Sequence, residues 1–521
     1  MQLNKTVSKL LKNITFMVGS ASESGLSEFA VELEDMKKRL DKPLRVAVVG
    51  VMKAGKSTLM NTILKEKILF TGTLETTYTV SWFKYGEKPA LNIVFYDGKE
   101  ESAPFEDLEK WTVRPADAEK HLLDEVEYVE IYYPNEILKT MELIDTPGLQ
   151  STHEKDARNT YNFLGQRLSE EADKVTAENA SKAEAIIYAF SRSAAQTDAD
   201  VLDAFRGETS NTSPVNAIGI FTQADRAWDV MRNPEANPLE LVASANERYK
   251  SQLKDKLYTV MPVSALPVEG ACGLNNRSFD ILMRLSEVDK ETLIESLSFA
   301  ELFTTDPSDE TMPVSPEDRS YILRQFAQYG IYTATNALRE GITREELQKY
   351  LYDRSGVGDA IELILRHFGN RALLIKFDHM FRRLRQTAGK IKNTVGTDYT
   401  DKTVCENIIE AIDTFREEEH SFCELDVLRA YYDGEFEFSD EITEEQFLQI
   451  TGENGSNCEA KLGFTNPASI SDLKHEARER SKKWNGIANN IGTTVELRLA
   501  AEVIVRSCNE MHYYLDMLSG F

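Results

Sequence analysis

The sequence predicts an α/β domain, with a doubly wound and mostly parallel sheet, joined to an α-helical bundle or stalk built from both chain ends. Three observations carry that expectation. Short apolar, β-branched runs alternate with helix-forming stretches between residues 44 and 290. A glycine loop, Gly50 to Thr58, follows the first of those runs and opens a helix. Apolar residues at alternating spacings of four and three mark both ends of the chain.

Residues 1–42 read as helix. Leu3, Val7, Leu10, Ile14 and Met17 form one apolar stripe, and Val31, Leu33, Met36 and Leu40 a shorter one. The polar face is not strongly basic, so the first stripe reads as a packing face and not as a membrane-surface helix. Strands are expected at 44–49, 78–84, 90–96, 126–133, 140–144, 184–190, 215–221 and 258–263, with helices that include 57–65, 154–178, 197–206 and 239–255. Strands 78–84 and 90–96, split by Gly86-Glu87-Lys88-Pro89, look like a hairpin. Short helices follow at 280–286, 290–297, 316–340 and 344–352, then an amphipathic segment at 357–368. From 371 to 518 the chain reads as helical, with a break near 432–470 where Asp433-Gly434, Gly452 to Asn457 and Asn466-Pro467 supply loop chemistry. The terminal helix carries Leu497, Ala501, Ile504, Cys508, Met511, Leu515 and Leu518 on one seam. The N-terminal stripe is its expected partner, in an antiparallel bundle with helices from 371–432.

The loop Gly50-Val51-Met52-Lys53-Ala54-Gly55-Lys56-Ser57-Thr58 fits the phosphate-binding pattern G-x-x-x-x-G-K-[ST]. Set between a buried strand and a helix N-terminus, its backbone N–H groups can face nucleotide phosphates. Lys56 would reach the β- and γ-phosphates, and the Ser57 hydroxyl would ligate Mg²⁺. Asp145-Thr146-Pro147-Gly148 follows the apolar strand Met141 to Ile144. A carboxylate at that place can hold the Mg²⁺ shell, and Gly148 leaves its N–H for the γ-phosphate. Thr222-Gln223-Ala224-Asp225 follows the strand Ala217 to Phe221. Asp225 can accept from guanine N1–H and the N2 amine; adenine offers neither donor, and an unpaired buried carboxylate is expensive. The guanine-reading pattern is [NT]-K-x-D, and Gln223 stands where lysine is usual. Ser264-Ala265, after strand 258–263, fits the weak motif whose backbone N–H meets guanine O6. In the loop Phe70 to Tyr78, Thr76 or Thr77 can complete the Mg²⁺ shell and sense the γ-phosphate as a switch; the sequence does not separate the two.

The chain has 521 residues, which suggests two to four units, and a formal net charge of −26, which argues against nucleic acid as a partner. Five cysteines without a C-x-x-C pair and seven dispersed histidines fit a reduced chain with no disulfide frame or zinc site. The first twelve residues lack a signal-peptide core, and no apolar run reaches the ~18 residues of a spanning helix. The reading places the chain in the cytoplasm and leaves open peripheral contact on the inner face of the cell membrane.

Lys53 to Asn61, Glu75-Thr76-Thr77, Asp145 to Gly148 and Thr222 to Asp225 together resemble the bacterial dynamin-like large GTPases. Gln328-Tyr329-Gly330-Ile331-Tyr332, and Arg354-Ser355-Gly356-Val357 through His367 to Ala372, are similar to the shorter, isoniazid-inducible type. The resemblance covers roughly residues 40–390. It implies GTP and Mg²⁺ as ligands, GTP hydrolysis, self-association through the GTPase domains, and membrane binding or remodelling. It leaves open whether a second dynamin-like protein takes part. The alternative is a regulatory GTPase switch acting on a protein partner without membrane remodelling. Relative to eukaryotic members, Met52 replaces a water-orienting glutamine and Lys53 a residue that helps bind a monovalent cation. Lys53 can itself supply that positive charge, as an alternative to being an exposed loop lysine. Arg192 is a weaker candidate for a supplied arginine.

The expected organisation is 1–43 as helices joining the bundle, 44–290 as the GTPase domain, 291–370 as its helical extension, and 371–521 as the bundle. Within 366–392, Arg366, Arg371, Lys376, Arg382, Arg383, Arg385, Lys390 and Lys392 face one acid, Asp378. Pairing with the acidic helix Glu406 to Glu419 is favoured over contact with lipid phosphate or with a partner. Phe436, Phe438, Phe447 and Phe464 lie at the expected bundle tip among many acids, unlike a lipid-inserting paddle.

Overall fold

The computed structural model describes residues 2–19, 26–39, 41–51, 53–71, 78–113, 123, 125–147, 183–191, 216–305, 312–394, 397–432 and 434–519. The expected helices 154–178 and 197–206 lie outside these residues. The chain divides into two compact units: Arg45–Thr212 with Ala217–Ile364, and Met1–Leu44 with Ser213–Asn216 and Leu365–Phe521.

The first unit is built on one sheet. Its strands are β1 (Leu44–Val49), β2 (Val80–Tyr85), β3 (Ala90–Phe95), β4 (Glu100–Ala103), β5 (Val126–Tyr133), β6 (Met141–Asp145), β7 (Ala185–Phe190), β8 (Ala217–Phe221) and β9 (Val260–Pro262). Their order is β4-β3-β5-β2-β6-β1-β7-β8-β9. The run β1-β7-β8-β9 is parallel, with Val48 opposite Ile187 and Tyr188 opposite Gly219. Every residue of β6, β7 and β8 is buried, as strands covered on both faces should be. The other half is mixed: β2 is parallel to β5 but antiparallel to β6, and β3 is antiparallel to β4 and β5. The overall sheet is therefore mixed, with its parallel part around β1.

The expected hairpin of β2 and β3 does not form. β5 lies between them and pairs with both. Glu130 of β5 ties the three strands together, bonding Lys84 of β2 and accepting from Asn92 Nδ2 of β3 at 3.1 Å. The connection passes across the end of β5 at Gly86, whose N–H donates to Tyr133 O and where a Cβ would lie 2.8 Å from Tyr132 Cβ. A local turn signal gives the direction of two strands, not whether a distant one enters between them.

Beyond β9 the unit is helical. Ala265–Cys272 packs on Lys56–Leu64 and on Pro316–Arg339. The last of these bends at Ala327, where φ is 53°. Gly270 and Gly330 permit the close crossing: a Cβ on Gly270 would sit 2.5 Å from Gln325 O, and one on Gly330 2.8 Å from Pro267 Cβ. The expected helix 239–255 is two pieces, Pro238–Leu241 and Ala243–Gln252.

The second unit is a helical bundle whose core takes residues from both chain ends. Val7, Leu11, Ile14, Phe29, Leu33 and Met36 share one cluster with Phe377, Phe381, Ile408, Phe422, Trp484 and Ile504. The first stripe is thus a packing face. The second runs through Phe29, Leu33 and Met36; Val31 points outward, 71 % exposed. The terminal helix Val495–Ser519 packs chiefly on Ile470–Ala488 and His420–Tyr432, while the N-terminal helix Gln2–Gly19 lies on Tyr399–Glu418. The pairing expected between the two terminal helices yields to the local one, because a short turn makes consecutive helices antiparallel neighbours at little loop entropy. Phe436 and Phe447 are buried core residues, with Phe438 and Phe464 packed against them, so the four rings serve the core and not an exposed apolar surface.

Much of the basic run forms ion pairs inside this unit. Arg385 pairs with Asp413 at 2.8 Å and Lys392 with Glu406 at 2.9 Å. Asp378 is fully buried and meets Arg382 at 2.7 Å, with Arg416 and Arg429 also on its carboxylate. Those guanidiniums hold its carboxyl well below the usual carboxylate range, against the opposing effect of burial. Lys376 donates to Lys42 O at 2.9 Å, near the end of helix Ser27–Arg39.

Candidate functional site

The crevice at the C-terminal end of β1 collects the motif residues. Strand neighbours lie on either side of β1, which is where an open α/β sheet receives a ligand. Gly50 leaves β1 against the β7 backbone; a Cβ there would fall on Ala189 O, well inside contact distance. Gly55 has φ 81°, a left-handed conformation that favours glycine, and helix Lys56–Leu64 starts at the next residue. Thr58 lies in its first turn, and the helix N-terminus faces the crevice as an anion site requires. Lys56 is buried, with Nζ 3.2 Å from both Gly50 O and Val51 O.

Ser57 Oγ donates to Asp145 Oδ2 at 2.9 Å. Asp145 ends β6 with no solvent exposure, so the sheet fixes one partner and the helix the other. The neighbouring Thr146 hydroxyl donates to Val48 O at 2.9 Å and fastens the end of β6 to β1. Its role was not expected from sequence; a threonine between a motif aspartate and a proline carries no signal of its own.

The loop after β8 closes onto the glycine loop. Thr222 Oγ1 lies 2.5 Å from Ala54 O and 3.0 Å from Phe190 O. Gln223, at φ 59°, donates through Nε2 to Lys53 O at 3.0 Å, and Lys53 itself has φ 62° and an exposed side chain. Glutamine thereby fastens the two loops to each other where a lysine is usual. Asp225 is half-buried and accepts from Ser264 Oγ at 3.0 Å. Burial raises its carboxyl pKa, and the Ser264 hydrogen bond only partly offsets this. Of the Ser264-Ala265 motif, the Ser264 N–H donates to Ser355 O at 2.8 Å. Ala265 begins helix Ala265–Cys272, and a first-residue N–H has no intrahelical acceptor.

A second network, missed in the sequence, anchors the chain just before the expected switch. Asn61 is fully buried, accepts from the N–H groups of Ile68 and Leu69, and donates to Leu69 O and Glu269 Oε1. Thr71 Oγ1 donates to the same Glu269 oxygen at 2.9 Å. The one available signal was a polar residue on the apolar side of the helix, which burial obliges to find partners. Met52, Thr76, Thr77, Gly148 and Arg192 lie outside the described residues. Among the described residues no cluster of three or more His, Cys, Asp or Glu side chains could hold a metal, and no helix is long and apolar enough to cross a membrane.

Residues 46–224 match the dynamin family. The chain carries a dynamin-family domain. Members of that family hydrolyse GTP. It is 26% identical over 493 residues to the isoniazid-induced protein IniC of Mycobacterium tuberculosis, covering 92% of each chain. It is 27% identical to dynamin-like protein 2 of Campylobacter jejuni, over 29% of this chain and 25% of that protein. To the bacterial dynamin-like protein of Nostoc punctiforme it is 32% identical, over 26% of this chain and 21% of that one. A solved structure of an oligomerised bacterial dynamin pair aligns with 99% of this chain and 75% of its own at 16% identity, with a TM-score of 0.29. The dynamin-family match ends at Ala224, so Asp225, Ser264 and all that follow rest on their own geometry.

Proposed function

We propose that the chain binds GTP with Mg²⁺ in the β1 crevice and couples its hydrolysis to self-association through the nucleotide faces and to peripheral membrane contact by the bundle. The observation that carries the nucleotide chemistry is the Ser57 hydroxyl set 2.9 Å from the Asp145 carboxylate beside a buried lysine. That pair of hard oxygen donors fits Mg²⁺, and Thr77, or its neighbour Thr76, would complete the set. When bound, the ion neutralises charge on the β- and γ-phosphate oxygens. Lys56 extends from the loop toward the same oxygens, and the N–H groups of Gly55 to Thr58, with that of Gly148, cradle them. Asp225 reads the base with Ala265, while Thr222 and Gln223 hold the reading loop on Lys53 and Ala54. Lys53, exposed at the loop crest, supplies positive charge as water attacks the γ-phosphorus and the bond to GDP breaks.

Support for membrane contact lies in the turn before the terminal helix and in that helix's first turns. Ile491 is 98 % exposed, followed by Val495 at 64 % and Leu499 at 55 %. Such apolar residues at a turn suit shallow insertion into lipid, whereas the net charge of −26 opposes electrostatic docking on anionic headgroups.

GTP turnover measured against protein concentration, with ATP beside GTP and Lys56→Ala as control, tests the first half. A rate per molecule that climbs with concentration supports activation by self-association. Absence of turnover with either nucleotide refutes the enzyme. Liposome co-sedimentation with and without a GTP analogue tests the second half, with Ile491→Asp expected to lose lipid. A flat, GTP-specific rate and no lipid binding would favour a switch that acts on a protein partner.

A further inference from the structure

The turn Arg354-Ser355-Gly356-Val357 lies 130 residues beyond the dynamin-family match, yet it braces the base-reading end of the site. Ser355 O accepts the Ser264 N–H at 2.8 Å, and Ser264 Oγ in turn donates to Asp225 Oδ1 at 3.0 Å. Ser355 is 2 % exposed and its polar atoms are engaged: the hydroxyl donates to Tyr352 O at 2.7 Å and accepts the Val357 N–H at 3.1 Å. Gly356 has φ 71°, and a Cβ there would lie 2.6 Å from Pro262 O and 3.1 Å from Leu239 Cδ1. Only glycine lets the turn lie flush against the backbone between Pro262 and Ser264.

Two consequences follow for the base. The Ser264 N–H is removed from the donors available to a ligand, so the Ala265 N–H is left to meet guanine O6. Ser264 is also oriented to hold the Asp225 carboxylate, whose remaining lone pairs accept the guanine N1–H and N2 amine. Adenine presents an amine where guanine has O6, and that amine would meet the Ala265 donor. The turn therefore selects between bases without touching either.

We propose that Ser355 and Gly356 are positioning residues that set the selectivity of the nucleotide site for guanine. This rests on the GTP-binding reading above. The test uses the full-length chain and compares GDP with ADP affinity for wild type, Gly356→Ala and Ser355→Ala, each with a thermal melt. Gly356→Ala should weaken GDP about tenfold or more and leave ADP unchanged, so that the GDP-to-ADP preference falls by that factor. A folded Gly356→Ala protein that keeps the wild-type preference overturns the proposal. Equal loss of GDP and ADP overturns it too, because a merely structural role would weaken both. Ser355→Ala removes the hydroxyl bonds to Tyr352 O and the Val357 N–H that fix the turn and so loosens the carbonyl's hold on the Ser264 N–H; it should lower the same preference by a smaller factor, and it decides the matter if Gly356→Ala does not fold. A wild-type protein with no preference for GDP over ADP refutes the GTP reading itself, which is visible before any variant is made.

Discussion

Gly50→Ala isolates how far catalysis depends on the placement of the glycine loop. A Cβ at residue 50 falls on Ala189 O and 3.1 Å from the Ala189 carbonyl carbon. Ala189 is fully buried in β7 and paired with Ile220 of β8, so it cannot retreat without opening the parallel ladder. The loop has to move instead, by roughly 1 Å, and a misplacement of that size costs about 10²-fold in rate. That corresponds to about 2.7 kcal/mol of lost transition-state stabilisation. The loss is expected in turnover because Gly50 O and Val51 O are also the carbonyls that hold Lys56 Nζ. The accompanying overpacking should destabilise the fold by about 1–3 kcal/mol. Steady-state GTP hydrolysis, read beside GDP affinity and a thermal melt, measures both effects. A folded Gly50→Ala protein that turns over GTP within about threefold of wild type would refute the reasoning, since the loop would then tolerate a displacement that the β7 backbone forces on it.

Other outcomes follow from the same geometry. Because burial raises the Asp225 carboxyl pKa and guanine needs the ionised form, GDP affinity should begin to fall with decreasing pH above the ordinary aspartate value of about 3.9. Asp225→Asn should bind GDP about 10²-fold less tightly and lose that pH dependence in a titration series. Wild-type turnover should be equal in Na⁺ and K⁺, and Lys53→Ala should slow it about 10- to 100-fold with GDP affinity little changed; a strong K⁺ requirement in the wild type would count against the role given to Lys53. Asp378→Asn should cost the bundle about 3–5 kcal/mol in denaturant or thermal melts, because three arginines lose their shared carboxylate. The folded pKa of Asp378 is depressed, so its contribution is present above the unfolded carboxylate range and lost as pH falls toward the lowered value. A cost under about 1 kcal/mol would show that the cluster is solvated in solution.

The placement of the motif residues was legible in the sequence where it depends on short-range spacing. A strand, a glycine loop and a helix are contiguous, so Gly50, Lys56 and Ser57 carry their geometry with them. Asp145 and Asp225 were readable because one ends an apolar strand and the other lies in the loop just after one, and the sheet brings such strand ends to one edge. The apolar periodicity of both chain ends likewise announced a bundle, since a stripe of that spacing has to be buried.

Tertiary structure alone decided which distant groups meet. β5 enters between β2 and β3 because Glu130 and the apolar residues around it bond to both neighbours, and no turn signal records that. The terminal helix chose its sequence neighbour over the N-terminal helix because closing a short turn costs less entropy than joining the chain ends. Glu269 meets Asn61 and Thr71 across some 200 residues, and Ser355 takes the Ser264 N–H across some 90. Hydrogen-bond satisfaction is a demand on every buried polar group, and sequence states the demand for each residue but not which partner answers it.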